Sequence, residues 1–422
     1  MGSLDDPKMV LPEPTISFTI PSIHDDTPLD CRVYYPTPLR DCTLDLSEWR
    51  KKGAVIAHPY APLGGSYDDH VVGIIADELL KEGFVVGTFN FRGAHSSKGR
   101  TSWTGKPELD DYVSFAGFFI HYLHLLRPSA SRTTSPSTPS VPSVPSSPFD
   151  ISTDGRTSPQ NECARVILGG YSYGSLIVKH IPPTAKILEL FHKVEDGTAA
   201  AEILLRASNL SAQRNREWEN ALAARGRQQS NRERRYTNEH SLSVIVGGEE
   251  TSPEKRRSSR ETRRSSERDH SFEFPRGFGS MSLRRKKREH SLCVIESQIP
   301  LDSGPSQSTA YLLVSPLLPP LSTFAAPSMV QRFWSKSKDH HENIVLQPTL
   351  AVFGDHDFFT SVKKLRPWAE KLNKELGSGF TYEEIGGAGH FWHEHGVEPK
   401  LRDALRKWAH DLDDAQVYPD MK

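Results

Sequence analysis

Cysteine is scarce in this chain: Cys31, Cys42, Cys163 and Cys293 are the only four in 422 residues, and no two form a CxxC pair. No metal-ligand spacing arises, and four scattered thiols suit a reducing compartment better than a disulfide framework. An excess of one charge is missing too, since 52 Lys and Arg stand against 53 Asp and Glu. A balanced chain has no global electrostatic reason to bind nucleic acid or an anionic membrane, so charge arguments must be local. Long apolar runs are also lacking. The least polar stretch, residues 310–330, holds Pro316, Pro319, Pro320 and Pro327, and proline at that density breaks a spanning helix. No membrane span is expected. The opening MGSLDDPKMVLPEP has no basic start followed by an apolar core, which leads to the expectation of a cytoplasmic or nuclear protein. Gly2 does not complete a myristoylation pattern, because the sixth residue is Asp6.

Hydrophobic residues make up 36%, low for one packed body of this length, so part of the chain is expected to lie outside any core. Composition locates that part. Residues 127–161 form a Ser/Pro/Thr tract with almost no large apolar side chain, which cannot offset the entropy of ordering and reads as a disordered loop. Residues 182–308 are dense in Arg, Ser and Glu and read as a mostly disordered basic insert, contributing little to the core. Within it, Ile187, Leu188, Leu190 and Phe191, then Ile203, Leu204 and Leu205, are spaced for amphipathic helices. The insert also carries EHSLSVI at 239–245 and EHSLCVI at 289–295, two copies being too few for a solenoid. Arg-Arg-Ser-Ser occurs at 256–259 and 263–266, a pattern suited to a kinase that favours basic flanks. RRKKR at 284–288 reads as a nuclear-import patch or, more simply, as a solvated tail.

Roughly 260 residues remain, in three pieces, 1–126, 162–181 and 309–415, enough for one α/β domain. Strand-like runs fall at 15–20, 31–35, 54–58, 84–91, 165–170, 311–315, 349–354 and 380–385. Helical patterns fall at 68–83, 107–126, 172–181, 361–376 and 399–412. Hydrophobic strands with helices between them imply a mainly parallel sheet covered on both faces, with ligands beyond the carboxyl ends of its strands.

One of those strand ends carries a chemical pattern. In RVILGGYSYGSLIV, Ser172 lies between Gly170 and Gly174, after a buried-type strand and before a helix. The pentapeptide Gly-x-Ser-x-Gly alone is weak evidence, but strand, tight turn and helix are the setting of a nucleophile elbow. A serine hydroxyl is a poor nucleophile until a base takes its proton, so a histidine and an orienting carboxylate should follow. After the strand at 349–354 come Asp355 and Asp357, and after the strand at 380–385 comes His390, with His393 and His395 close behind. The spacing of HFWHEH fits no zinc signature, and no metal or cofactor is implied.

The motifs AVIAHPYAPLGGSYDDHVV, GFVVGTFNFRGAHSSKG, GGYSYGS, TLAVFGDHDFF and GGAGHFWHE, in that order, resemble the α/β-hydrolase superfamily, in particular its small serine esterases and dienelactone-hydrolase-like members. The resemblance covers roughly residues 50–126, 163–180 and 310–412. It implies the α/β-hydrolase fold interrupted by long disordered insertions, and a small-molecule acyl substrate. By position it implies Ser172 as nucleophile, His390 as general base and Asp357 as the orienting acid, with Asp355 shaping the turn. The oxyanion hole is implied at the backbone N–H of Tyr173 and at a second donor after the strand at 54–58. There the family's His-Gly-x reads His58-Pro59-Tyr60. Proline has no N–H, so Tyr60 is the expected donor and Ala61 the next in line.

Two further features keep two readings each. Arg92 either braces its loop or binds a substrate carboxylate. The proline-rich stretch after Ser315, with Trp334 beyond it, is either a lid over an acyl pocket or a surface connection. At the level of the whole protein, a serine hydrolase stands beside an interaction protein that retained a hydrolase core and works through its basic insert.

Overall fold

The computed structural model describes residues 11–42, 49–128, 164–241, 307–319 and 343–417, with the backbone alone described at 229–241 and 414–417. Two compact units are distinguished, residues 1–225 with 304–422, and residues 226–303. Within the second, the description extends to helical backbone as far as Ser241. The Arg-Arg-Ser-Ser sites, RRKKR, the second EHSL copy, Trp334 and nearly all of 127–161 lie outside the described residues.

The first unit is organised around one eight-stranded sheet. In chain order its strands are β1 (Ile16–Pro21), β2 (Pro28–Tyr34), β3 (Lys52–Ala57), β4 (Val85–Phe89), β5 (Ala164–Tyr171), β6 (Gln307–Val314), β7 (Thr349–Gly354) and β8 (Phe380–Ile385). Across the sheet they run β1-β2-β4-β3-β5-β6-β7-β8. The β1/β2 and β2/β4 pairs are antiparallel, and every pair from β4/β3 to β7/β8 is parallel.

Alternate residues of the parallel strands feed two separate cores, which is why these strands read as unbroken apolar runs. Val55, Val166, Leu168, Leu313 and Ala351 face one core, whereas Ile56, Ile167, Leu312 and Val352 face the other. The second core is closed by α2 (His70–Lys81) and α8 (Val397–Val417). The first is closed by α3 (Lys106–Leu125), α4 (Tyr173–Val178), α5 (Thr184–Glu189), α6 (Ala199–Ser241) and α7 (Val362–Asn373), while a short α1 (Thr37–Arg40) follows β2. The chain leaves β3 through α2 to reach β4, then crosses back over the opposite face through α3 to β5 on the other side of β3. The carboxyl ends of β3 and β5 therefore flank a topological switch point. Sheet order, pairing sense and two-faced helical cover together make this an α/β-hydrolase fold. No described helix is long and apolar enough to cross a membrane.

The insert beginning at 182 differs from the expectation. Its first part is core: Ile187, Phe191, Ile203, Ala207 and Trp218 are all buried. Along α6 the inward positions are 203, 207, 211, 214 and 218, a single stripe at helical spacing. Between them lie Arg206, Gln213, Arg216 and Glu217, so the mean composition of the segment conceals the stripe. Phe191 occupies the space beside Gly117 of α3, where a Cβ would fall 2.1 Å from its ring. Trp218 meets Tyr35 edge to face, its centroid 5.7 Å away, and its indole N–H donates to the Leu39 carbonyl at 2.9 Å. Arg214 lies over Tyr35 and Trp218 and donates to the same carbonyl at 3.1 Å. Trp218→Ala should therefore cost about 3–5 kcal/mol in denaturant unfolding, the range for a buried aromatic truncated in a packed core. Unchanged stability would mean that the stripe does not belong to the folding core.

Candidate active site

Strand β5 is buried along its whole length and ends in Gly169, Gly170 and Tyr171. The next residue, Ser172, sits at φ 54 and ψ −112, a conformation that costs a side-chain-bearing residue about 1–3 kcal/mol. Surrounding structure enforces it. A Cβ on Gly170 would fall 2.3 Å from the Gly174 carbonyl carbon, and one on Gly174 would fall 2.5 Å from the Ala57 carbonyl oxygen. Two glycines thus let the start of α4 press against the end of β3. The Ser172 N–H donates to Val314 at 2.9 Å, and its carbonyl accepts the Leu176 N–H and the Ser175 hydroxyl, the latter at 2.7 Å. The turn is tied on both sides, and Ser172 is displayed at its apex.

His390, from the loop after β8, places Nε2 2.8 Å from the Ser172 Oγ. Its Nδ1 is 2.7 Å from the Asp357 Oδ2, in the loop after β7. A carboxylate only accepts, so Nδ1–H donates to Asp357 and Nε2 is left to accept the serine proton. The other carboxylate oxygen, Oδ1, accepts the backbone N–H groups of Phe359 at 2.8 Å and Thr360 at 2.9 Å. All three side chains are largely shielded from solvent, with Ser172 at 8%, Asp357 at 4% and His390 at 2% exposure. Asp355 points elsewhere, and its Oδ1 accepts the Gly387 N–H at 2.7 Å, tying the exit of β7 to that of β8. His393 and His395 are exposed.

Three residues that the motif reading did not single out hold the histidine loop. The Tyr171 hydroxyl donates to the His390 carbonyl at 2.9 Å, and burial raises that phenol's pKa far above neutral, so it remains a donor. The Trp392 indole N–H donates to the Ser315 Oγ at 3.0 Å. Ser315 and Trp392 both have positive φ, 47 and 58, so the ends of β6 and of the histidine loop are held in strained turns that meet each other.

On the far side of Ser172, the loop after β3 adjoins the elbow, and the rings of Tyr60 and Tyr173 lie 5.1 Å apart. Tyr173 opens α4, where helix geometry leaves its N–H without a carbonyl four residues back. Among the described residues, no backbone carbonyl accepts from the N–H of Tyr60 or of Tyr173. His58 anchors the loop. Its Nε2 accepts the Phe91 N–H at 2.9 Å, and its Nδ1–H donates to the Pro59 carbonyl at 2.6 Å. Those two bonds need a neutral ring, and burial lowers its pKa to about 4.

Burial likewise lowers the His121 pKa to about 4. Both rings take a proton more readily in the unfolded chain, so the stability gained by keeping them neutral is fully present above pH 6.5. It is lost as pH falls from 6.5 towards 4. Thermal melting across that range should show Tm falling with pH. His58→Gln, which has no ring to charge, should lose less by on the order of 3 kcal/mol. An equal acid loss in wild type and variant would contradict the assignment.

Arg92 has no free face for a substrate. Its guanidinium makes a fork with Asp111 (3.0 and 2.7 Å), a second with Asp25 (2.9 and 3.2 Å), and a bond to the Ser22 hydroxyl at 3.2 Å. The residue braces the loop after β4 against α3. Among the described residues no group of three His, Cys, Asp or Glu side chains is arranged to hold a metal ion.

No family model matches the chain, and no curated protein matches it. Solved structures do show similarity. An a/b serine hydrolase without lid from Xanthomonas campestris is 15% identical, with 96% of this chain and 97% of that one covered at a TM-score of 0.43. Est1E from Butyrivibrio proteoclasticus with ferulic acid bound is 9% identical, covering 93% and 98% at 0.41. An esterase from Pyrococcus furiosus is 11% identical, covering 94% and 89% at 0.38. What the site can do follows from its own geometry.

Proposed function

We propose that the protein is a serine hydrolase that cleaves an ester or related acyl bond through an acyl-enzyme. The observation that carries this reading is the continuous Asp357–His390–Ser172 relay, 2.7 Å and 2.8 Å long at its two links, assembled from three different strand ends. Ser172 Oγ attacks the acyl carbon as its proton passes to His390 Nε2. Asp357, held by two backbone donors, stabilises the imidazolium and keeps it oriented. The N–H groups of Tyr173 and Tyr60 serve the developing oxyanion, neither donating to a backbone carbonyl among the described residues. His390 then protonates the leaving oxygen, and water releases the acyl group by the reverse sequence. The protein's own groups complete this cycle without a cofactor.

A scaffold working through the basic insert would have no use for a serine held in a strained conformation beside a shielded histidine. The test is a panel of 4-nitrophenyl esters of increasing acyl length. Turnover well above the Ser172→Ala background is expected for at least the short members, with the length at which it fails marking the depth of the acyl pocket. Background rates throughout would favour the scaffold reading.

A further inference from the structure

Beside the buried triad lies an apolar surface that no packing requirement explains. Phe358 is 68% exposed and Phe391 is 44% exposed, and both flank His390. Their rings are 5.7 Å apart, at 6.4 Å and 5.5 Å from the imidazole. Phe359 belongs to the same cluster, 4.5 Å from the imidazole, 4.5 Å from Phe358 and 5.8 Å from Phe391. The row extends outward: His393 stacks on Phe391 at 6.1 Å, and His70 stacks on His393 at 6.0 Å. Neighbouring exposed aromatics in one row mark a surface kept for a ligand. Their centroid spacings are those at which a further flat ring would continue the stack.

Position decides which part of a substrate lies there. The leaving oxygen must come within hydrogen-bond reach of His390 Nε2 to receive its proton, so the remainder of the leaving group extends over the rings around the imidazole. The oxyanion side, by contrast, is bounded by Tyr60 and Tyr173. We propose that Phe358 and Phe391 bind the leaving group, and that the preferred substrates are esters of aryl alcohols; this rests on the serine-hydrolase reading above. In acylation, Ser172 Oγ bonds to the acyl carbon and the bond from that carbon to the aryl oxygen breaks. The electron pair stays on the aryl oxygen, which takes the proton from His390 Nε2 and departs as the alcohol. Water then adds to the acyl carbon, passing its proton through Nε2 to the departing Ser172 Oγ. The net change is ester plus water to acid plus aryl alcohol.

Phenyl acetate and 2-naphthyl acetate form the same acetyl-enzyme, so the ratio of their kcat/KM values isolates the leaving-group surface. For the full chain, 2-naphthyl acetate is expected to be favoured about tenfold, the worth of one additional aromatic contact. Phe391→Ala and Phe358→Ala should each move the ratio towards one, whereas Phe391→Tyr should restore it. Melting temperatures report packing separately. A ratio that stays the same in both alanine variants, with or without a fall in Tm, would overturn the inference while leaving the hydrolase reading intact. If neither ester is turned over and Ser172 does not react with a fluorophosphonate, the hydrolase reading and this inference fall together.

Discussion

Ser172→Ala is expected to lower kcat by about a millionfold, the scale on which removing the nucleophile acts in serine proteases. The fold should survive, because the hydroxyl contributes one hydrogen bond, to His390 Nε2, and alanine keeps the Cβ. It also keeps the backbone strain at φ 54. Ser172→Gly removes that strain along with the nucleophile, so it should be equally inactive yet more stable than Ser172→Ala by about 1–3 kcal/mol. Steady-state kinetics with an activated ester and denaturant unfolding of the two variants provide the check. A glycine variant less stable than the alanine variant would mean that the elbow is not strained.

Asp357→Asn should lower turnover by about four orders of magnitude at neutral pH, for a reason visible in the carboxylate's surroundings. Phe359 and Thr360 both donate backbone N–H groups to Oδ1, so an asparagine must turn its carbonyl oxygen towards them. Its NH₂ then faces His390 Nδ1 and can only donate. The ring is driven to the tautomer with the proton on Nε2, which cannot take one from Ser172. Asp355→Asn, by contrast, keeps an acceptor for the Gly387 N–H and should lose about 1 kcal/mol of stability with activity retained. Comparing kcat and melting for the pair separates the roles. A folded but inactive Asp355→Asn beside an active Asp357→Asn would reverse the assignment.

The parts of the site that could be read in advance are those that depend on position along a strand. Ser172, Asp357 and His390 each follow a strand, and parallel strands end at the same edge of the sheet wherever they lie in the chain. Of the two carboxylates after β7, the one that the resemblance implies as the acid, Asp357, is the one within hydrogen-bond reach of His390, while Asp355 turns to the Gly387 N–H. Tyr171, Ser315 and Trp392 were not legible. They act through isolated hydrogen bonds to or beside the histidine loop, and such bonds between distant segments leave no periodicity in the sequence.

Apolar spacing marks the helices at 184–225, but composition understates how much of them is buried, for a related reason. A helix needs only one residue per turn to pack, and the stripe of Ile203, Ala207 and Trp218 is diluted by the charged residues between them. At β6 the ladder starts at Gln307, earlier than the apolar run, because polar Gln307 and Ser308 pair with Ala164 and Arg165 of β5. Backbone pairing there carries the strand beyond its hydrophobic core.

Activation of Ser172 as a nucleophile can be read by treating the full chain with a fluorophosphonate and mapping the adduct by peptide mass spectrometry. One adduct is expected, on Ser172, formed with loss of esterase activity, absent from the Ser172→Ala protein and strongly slowed in His390→Ala. Labelling elsewhere, or esterase activity that persists in a preparation with Ser172 fully modified, would contradict it.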